Sequence, residues 1–166
     1  MSVEVYDNFL PEDLYNNVSK FILGENMPWF FSNGTVYDGD GCPQFSHTFY
    51  LNCEPVSPHW SEIRPVLVGI NPLGLHRIKV NATTRTTDIV EKPLHYDVTT
   101  PDETIPEDVK ICIIYFNDCD GYTYFEDGQK VQSKANRAIK FPGTYKHAGS
   151  SCTDADRRIV CNIVYL

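Results

Sequence analysis

The run Val109-Lys110-Ile111-Cys112-Ile113-Ile114-Tyr115-Phe116-Asn117 decides the architecture. It is apolar at nearly every position and rich in β-branched residues. A strand of this composition is buried on both faces, so its sheet has a neighbouring layer on each side. Downstream, Tyr122 to Glu126, Ala138 to Phe141 and Ile159 to Leu166 read as further short strands. Asp127-Gly128 is a hairpin turn signal. Upstream, Leu75 to Asn81 (LHRIKVN) alternates in strand fashion, which places Leu75, Arg77, Lys79 and Asn81 on one face. Helices are expected only near the N-terminus. Pro11, Glu12 and Asp13 suit a helix start, Leu10, Leu14, Val18 and Ile22 recur at helical spacing, and Gly24 stops the run. A second helix is predicted over Trp60 to Val68, interrupted by Pro65. Two early helices followed by many short strands predict an α+β domain with a double-sheet β core.

The 166 residues suit a single domain spanning 1–166, with no repeat, linker or low-complexity tract. A hydrophobic fraction of 42% beside 22% charged residues places the chain among globular proteins. The formal net charge of -8 argues against non-specific nucleic-acid binding, which needs a basic surface. No apolar run is long enough to span a bilayer, so no membrane association is expected. The opening MSVEVYDNFLPEDL lacks the features of a signal peptide, which predicts residence in a cytoplasm. Cys42, Cys53, Cys112, Cys119, Cys152 and Cys161 form no CxxC pair, and we expect reduced thiols rather than a zinc ribbon or a disulfide framework.

The chemistry is concentrated in Leu94-His95-Tyr96-Asp97. If this segment is a strand, His95 and Asp97 point to the same side and can meet one ion. His147, in TYKHAG, is the best candidate for a third ligand. Two histidines and one carboxylate on one face of an octahedral ion leave three positions open, as in non-haem Fe(II) oxygenases. HxD by itself is a common accident, and His47, His59 and His76 are better read as structural or surface histidines. Support comes from Arg157 and Arg158, at the start of the terminal strand RRIVCNIVYL. Alternation sends the two to opposite faces. An inward guanidinium needs an anion, which a dicarboxylate supplies through a two-pronged pair.

These residues resemble the 2-oxoglutarate/Fe(II)-dependent oxygenases, in particular prolyl 4-hydroxylase-like members that include small versions from phages and marine bacteria. The resemblance runs through DNFLPEDLYNNV, RIKVN followed by LHYD, YFNDCDGYTYFEDG with Gly121 and Thr123, NRAIKFPGTYKHAG, and HAGSSCTDADRRIVCNIVYL. It implies a double-stranded β-helix (jelly-roll) core with supporting N-terminal helices. It also implies Fe(II) on His95, Asp97 and His147, with 2-oxoglutarate and O2 as cosubstrates. The arginine of the last strand would hold the far carboxylate of 2-oxoglutarate. Arg158 is favoured, because it directly precedes the apolar pair Ile159-Val160, and Arg157 is the runner-up. Asn81, Lys79 and Tyr115 are further candidates for the inner wall. The sequence departs from many relatives in having Asp120-Gly121 where they carry two glycines. The implied reaction is C–H hydroxylation with release of succinate and CO2, on a peptidyl proline or a small metabolite, in a bacterial or phage-infected cytoplasm.

Two further segments bear on such a site. Trp29, Phe30 and Phe31 either form a lid with Asn33 to Gly41 or pack the first helix on the sheet, and packing is expected for at least two of them. Thr83 to Thr87 reads as a polar loop near the mouth, with Arg85 in solvent. The rival function is a non-catalytic metal- or ligand-binding jelly roll, or an interaction protein in which HxD is accidental. Asp97 argues against a halogenase, which lacks the carboxylate.

Overall fold

The computed structural model describes residues 3–37, 39–98 and 104–166. Eleven strands and two short helices follow one another: β1 (Glu4–Tyr6), α1 (Glu12–Leu23), β2 (Phe30–Ser32), β3 (Gln44–Leu51), β4 (Glu54–Pro55), α2 (Trp60–Ile63), β5 (Leu75–Thr84), β6 (Lys110–Tyr115), β7 (Tyr122–Phe125), β8 (Lys130–Gln132), β9 (Ala138–Pro142), β10 (His147–Gly149) and β11 (Arg157–Tyr165). They form a large antiparallel sheet ordered β1-β9-β6-β11-β5-β3-β2, with β4 on β3, and a small one ordered β10-β7-β8. This is a jelly-roll-like pair of sheets with two helices on the outside, the architecture expected from the sequence.

Period-2 alternation explains why β6 is apolar throughout. Cys112 and Ile114 join Ile78, Val80, Ala82, Ile159, Cys161 and Ile163 in a core shared with Val18 and Ile22 of α1. Ile111, Ile113 and Tyr115 face the other way, into a second core with Phe125, Val131, Phe141, Val160 and Val164. Each of these buried aliphatic side chains contributes about 1.5–3 kcal/mol relative to exposure. One face of the large sheet therefore carries the helices and the other carries the small sheet. The candidate site lies between the two sheets.

The N-terminal elements follow their local signals. Pro11 caps α1, Glu12 and Asp13 occupy its first turn, and Gly24 ends it. A Cβ at Gly24 would lie 2.6 Å from the Lys20 carbonyl oxygen, so only glycine lets the chain leave there. The Asn136 side chain accepts from Leu10 N–H and donates to Leu10 C=O, tying the entry of α1 to the turn before β9. The second predicted helix holds only over Trp60–Ile63. Pro65 then converts it to a 3-10 turn over Arg64–Gly69, because proline cannot continue the helical ladder.

Three expectations need correction. Leu75 does not share a face with Arg77, because the β5–β11 register shifts between Val164 and Tyr165 and Leu75 packs with the helix-side core. Among Trp29, Phe30 and Phe31, only Trp29 packs on the core, while Phe30 and Phe31 are 63% and 65% exposed. Edge strand β2 pairs only with β3, so neither ring has a layer to pack under. The supposed lid segment 33–41 includes position 38, which lies outside the described residues. Finally, Thr83 and Thr84 belong to β5 and not to a loop. Arg85 is exposed and lies 3.9 Å from Asp156, consistent with a solvated residue. All six cysteines are free thiols. Among the described residues, no helix is long and apolar enough to cross a membrane.

Candidate metal and cosubstrate site

The HxD segment is not a regular strand. Residues 91–95 run along the open edge of β10, touching it at Glu91–Ser150 and His95–His147, with Lys92 N–H donating to Gly149 C=O at 3.0 Å. His95 and His147 exchange both backbone hydrogen bonds, at 3.0 and 3.1 Å, so their side chains emerge together. The chain then bends at Asp97, whose position is set by a side chain instead of a ladder. Arg77 of β5 donates to Asp97 Oδ1 at 2.6 Å and to its carbonyl at 3.2 Å. The expectation of a shared strand face is thus replaced by a backbone bridge and an arginine clamp.

The result is a convergent donor set. Ligand atoms of His95, Asp97 and His147 lie within 4.8 Å of one another. His147 Nε2 is 3.5 Å from Asp97 Oδ2 and His95 Nε2 is 4.0 Å from Asp97 Oδ1. His95 Nδ1 lies 3.0 Å from Pro93 C=O and His147 Nδ1 lies 3.3 Å from Tyr145 C=O. A carbonyl there fixes the proton on Nδ1 and leaves the Nε2 lone pair for a metal. Asp97 Oδ2 is buried with no hydrogen-bond partner among the described residues. An orphaned carboxylate oxygen beside one imidazole nitrogen, with a second imidazole in the same cluster, is what a divalent cation would satisfy, so the donor set fits Fe(II). Burial alone would push the Asp97 carboxyl up. The adjacent His147, with Arg77 and His95, outweighs that and holds it well below the usual carboxylate range. Burial and the neighbouring His147 lower the pKa of His95, which favours the neutral, ligating imidazole.

These residues line a cavity of about 230 Å³ between the sheets. Its walls include Arg77, Lys79, Asn81 and Thr83 of β5, Arg158, Val160 and Asn162 of β11, and Thr123 of β7. Alternation separates the two arginines as expected. Arg158 is 4% exposed and donates to Thr123 Oγ1 at 2.9 Å. Arg157 is exposed on the opposite face and donates to the Leu23 carbonyl. Tyr115 does not line the cavity. It stands behind the wall, its hydroxyl donating to Thr123 Oγ1 at 2.9 Å with the Arg158 guanidinium 5.4 Å from its ring centre. Arg158 Nε, Asn81 Oδ1 and Asn162 Oδ1 are buried without partners among the described residues. Unsatisfied donors and acceptors on one wall mark a place for a polar ligand. His47 is remote from this set, hydrogen-bonded to Pro28 C=O and Ser57 Oγ at 2.8 Å each.

The sequence reading overlooked Arg77 as the Asp97 clamp, and Lys92. Arg77 was detectable, because a strand with an apolar face and Arg77-Lys79-Asn81-Thr83 on the other points charge into the protein. Lys92 carries no such local signal.

Gly121 permits the close approach that seats Arg158. A Cβ there would lie 2.5 Å from the Ser151 carbonyl oxygen and 2.7 Å from Arg158 Cδ. Gly121→Ala is expected to destabilise the fold by about 1–3 kcal/mol, as overpacking does. Urea unfolding would show this as a lowered midpoint with an unchanged slope.

No protein-family model matches the sequence, and no curated protein matches it. Solved structures do. A prolyl hydroxylase from Trichoplax adhaerens, in complex with a hypoxia inducible factor oxygen degradation domain peptide fragment, superposes with a TM-score of 0.71 at 14% identity, covering 99% of this chain and 83% of that one. The viral collagen prolyl hydroxylase of Paramecium Bursaria Chlorella virus-1, as its 2-oxoglutarate complex, gives 0.58 at 15% identity, covering 100% and 97%. A non-heme α-ketoglutarate-dependent carbocyclase from nogalamycin biosynthesis gives 0.68 at 13% identity, covering 98% and 78%. The chain therefore has, over its described length, the double-stranded β-helix fold of the 2-oxoglutarate/Fe(II) oxygenases, with His95, Asp97 and His147 as a candidate facial triad.

Proposed function

We propose that this protein is an Fe(II)- and 2-oxoglutarate-dependent dioxygenase that hydroxylates a substrate C–H bond. The observation that carries the reading is the convergence of the His95, Asp97 and His147 ligand atoms within 4.8 Å of one another, with the orphaned Asp97 Oδ2 3.5 Å from His147 Nε2. When bound, Fe(II) and 2-oxoglutarate would supply the oxidising chemistry, in which the substrate C–H, O2 and 2-oxoglutarate are converted to hydroxylated substrate, succinate and CO2.

The chain's own residues prepare that chemistry. Arg77 occupies Asp97 Oδ1, so the carboxylate offers the metal one oxygen, and three protein ligands leave room for others. Pro93 and Tyr145 carbonyls orient the two imidazoles. Arg158 takes the distal carboxylate of 2-oxoglutarate, helped by the Thr123 hydroxyl. The Tyr115 hydroxyl points the Thr123 oxygen at Arg158 and holds the group in place. Asn81 and Asn162 complete the polar wall beside it. The nearby β-strands give these groups a rigid mount.

The substrate is left open by the fold, since structural neighbours include a prolyl hydroxylase with a bound peptide and a carbocyclase of nogalamycin biosynthesis.

Succinate formation that requires both added Fe(II) and 2-oxoglutarate tests the reading. Metal-free protein that binds neither would return it to a non-catalytic scaffold. Tyr115→Phe removes one hydroxyl and about 0.5–1.5 kcal/mol of support from the carboxylate cluster. The 2-oxoglutarate concentration for half-maximal turnover should rise about two- to tenfold, with maximal turnover little changed.

A further inference from the structure

Lys92 is used by nothing in the mechanism above. It is 6% exposed, yet no carboxylate among the described residues pairs with it. Its ammonium donates to two neutral acceptors, Gln44 Oε1 and Thr83 Oγ1, each at 2.9 Å. An ammonium has three donors, so one N–H is left for a ligand. All three of these side chains line the cavity. Gln44 and Thr83 are themselves 4% and 8% exposed, which makes this a built site and not a surface lysine. Burial and the nearby Arg158 push the Lys92 pKa down to about 8. A cation held at that cost without an anion is incomplete.

The charges of the cavity point the same way. Four cations line it, Arg77, Lys79, Lys92 and Arg158, against one carboxylate, Asp97. The whole chain carries -8, so this is a local reversal of sign. Arg77 is paired with Asp97. Under the proposed function, Arg158 meets the distal carboxylate of 2-oxoglutarate. The cosubstrate's other carboxylate charge is more than balanced by the ferrous ion. Lys79 and Lys92 are left over, and Lys79 has no hydrogen-bond or ion-pair partner among the described residues. The cavity, about 230 Å³, is below the ordinary range for a drug-sized ligand and must hold the cosubstrate as well, so it suits a small substrate.

Resting on the proposed function, we infer that the substrate is a small molecule bearing an oxyanion, a carboxylate or a phosphate, which the Lys92 ammonium binds and Gln44 and Thr83 position. This assigns Lys92 as a specificity-determining residue and disfavours an uncharged peptidyl proline.

The test uses the full chain loaded anaerobically with Fe(II) and 2-oxoglutarate. Propionate, methyl phosphate and propionamide are titrated in separate arms, with binding read by calorimetry and by protection of Lys92 from amine acylation in peptide mass spectrometry. Propionate or methyl phosphate should bind and protect, and propionamide should not. The stronger of the two anions identifies the oxyanion. Lys92→Met should weaken that anion about tenfold or more, the scale of one charged hydrogen bond, and Lys92→Arg should recover part of it. The visible absorption of the iron–2-oxoglutarate chelate, formed at the same 2-oxoglutarate concentration in both variants, shows that their sites are intact. Three results overturn the inference: equal binding of amide and anions, unchanged anion binding in Lys92→Met, or a raised 2-oxoglutarate requirement in Lys92→Met, which would give the ammonium to the cosubstrate. Wild-type protein that forms no chelate overturns the proposed function and this inference together.

Discussion

Asp97→Ala is expected to lower Fe(II)-dependent succinate formation by more than about a hundredfold, beyond the 10–100-fold typical of losing only a partner that orients a ligand. Asp97 is the only anionic member of the donor set, and its free oxygen lies 3.5 Å from His147 Nε2. The fold should survive. Asp97 sits in an irregular segment, outside the ladders of both sheets. What the substitution leaves behind is Arg77, without its 2.6 Å partner. Its guanidinium is partly exposed and can recruit water, so the cost to stability is about 1–3 kcal/mol. Metal titration together with urea unfolding separates the two effects. Near-complete loss of activity with a modest midpoint shift is the expected pair of results.

Arg158→Ala is expected to raise the 2-oxoglutarate requirement far more than Arg157→Ala. Truncating one member of a buried, charge-assisted pair costs about 2–4 kcal/mol, or roughly 30- to 1,000-fold in binding. Arg158 meets that description, because it is buried, bonded to Thr123 and seated against Gly121 and Gly149. Arg157 faces the opposite way and holds only the Leu23 carbonyl, so its loss should change the requirement by about twofold at most. Half-saturation curves for the two variants are the measurement. The reverse ranking would mean that Arg158 does not meet the cosubstrate.

Strand parity is why so much of this was legible in the sequence. The alternation in Arg158, Val160 and Asn162 against Ile159, Cys161 and Ile163 separates a wall of the cavity from the helix-side core. The same rule applied to Ile111 through Tyr115 predicted two layers, and the cores on either side of β6 are those layers. Where regular backbone ends, the rule loses its force. His95 and Asp97 were read as strand neighbours, but one is held by a bridge to His147 and the other by Arg77 across the cavity. A register shift moved Leu75 to the opposite face. Phe30 and Phe31 are apolar, but they lie on an edge strand, beside His47 and Phe45, and stay mostly exposed. Lys92 became visible only once Gln44 and Thr83, 48 and 9 residues away in sequence, were seen to enclose it. The family likeness was carried by short motifs in a specific order. At 13% to 15% identity to the three solved structures compared above, the shared fold emerges in the backbone and not in any family model.

The central claim, that His95, Asp97 and His147 hold an iron that 2-oxoglutarate chelates, is tested most directly without any substrate. Purified protein is reconstituted anaerobically with Fe(II) and 2-oxoglutarate, and the weak visible charge-transfer band of the chelate is recorded, with Asp97→Ala alongside. A band in the wild type that is absent in the variant is the predicted result. Wild-type protein that binds no iron and shows no band, or a variant that shows the same band, would contradict the assignment.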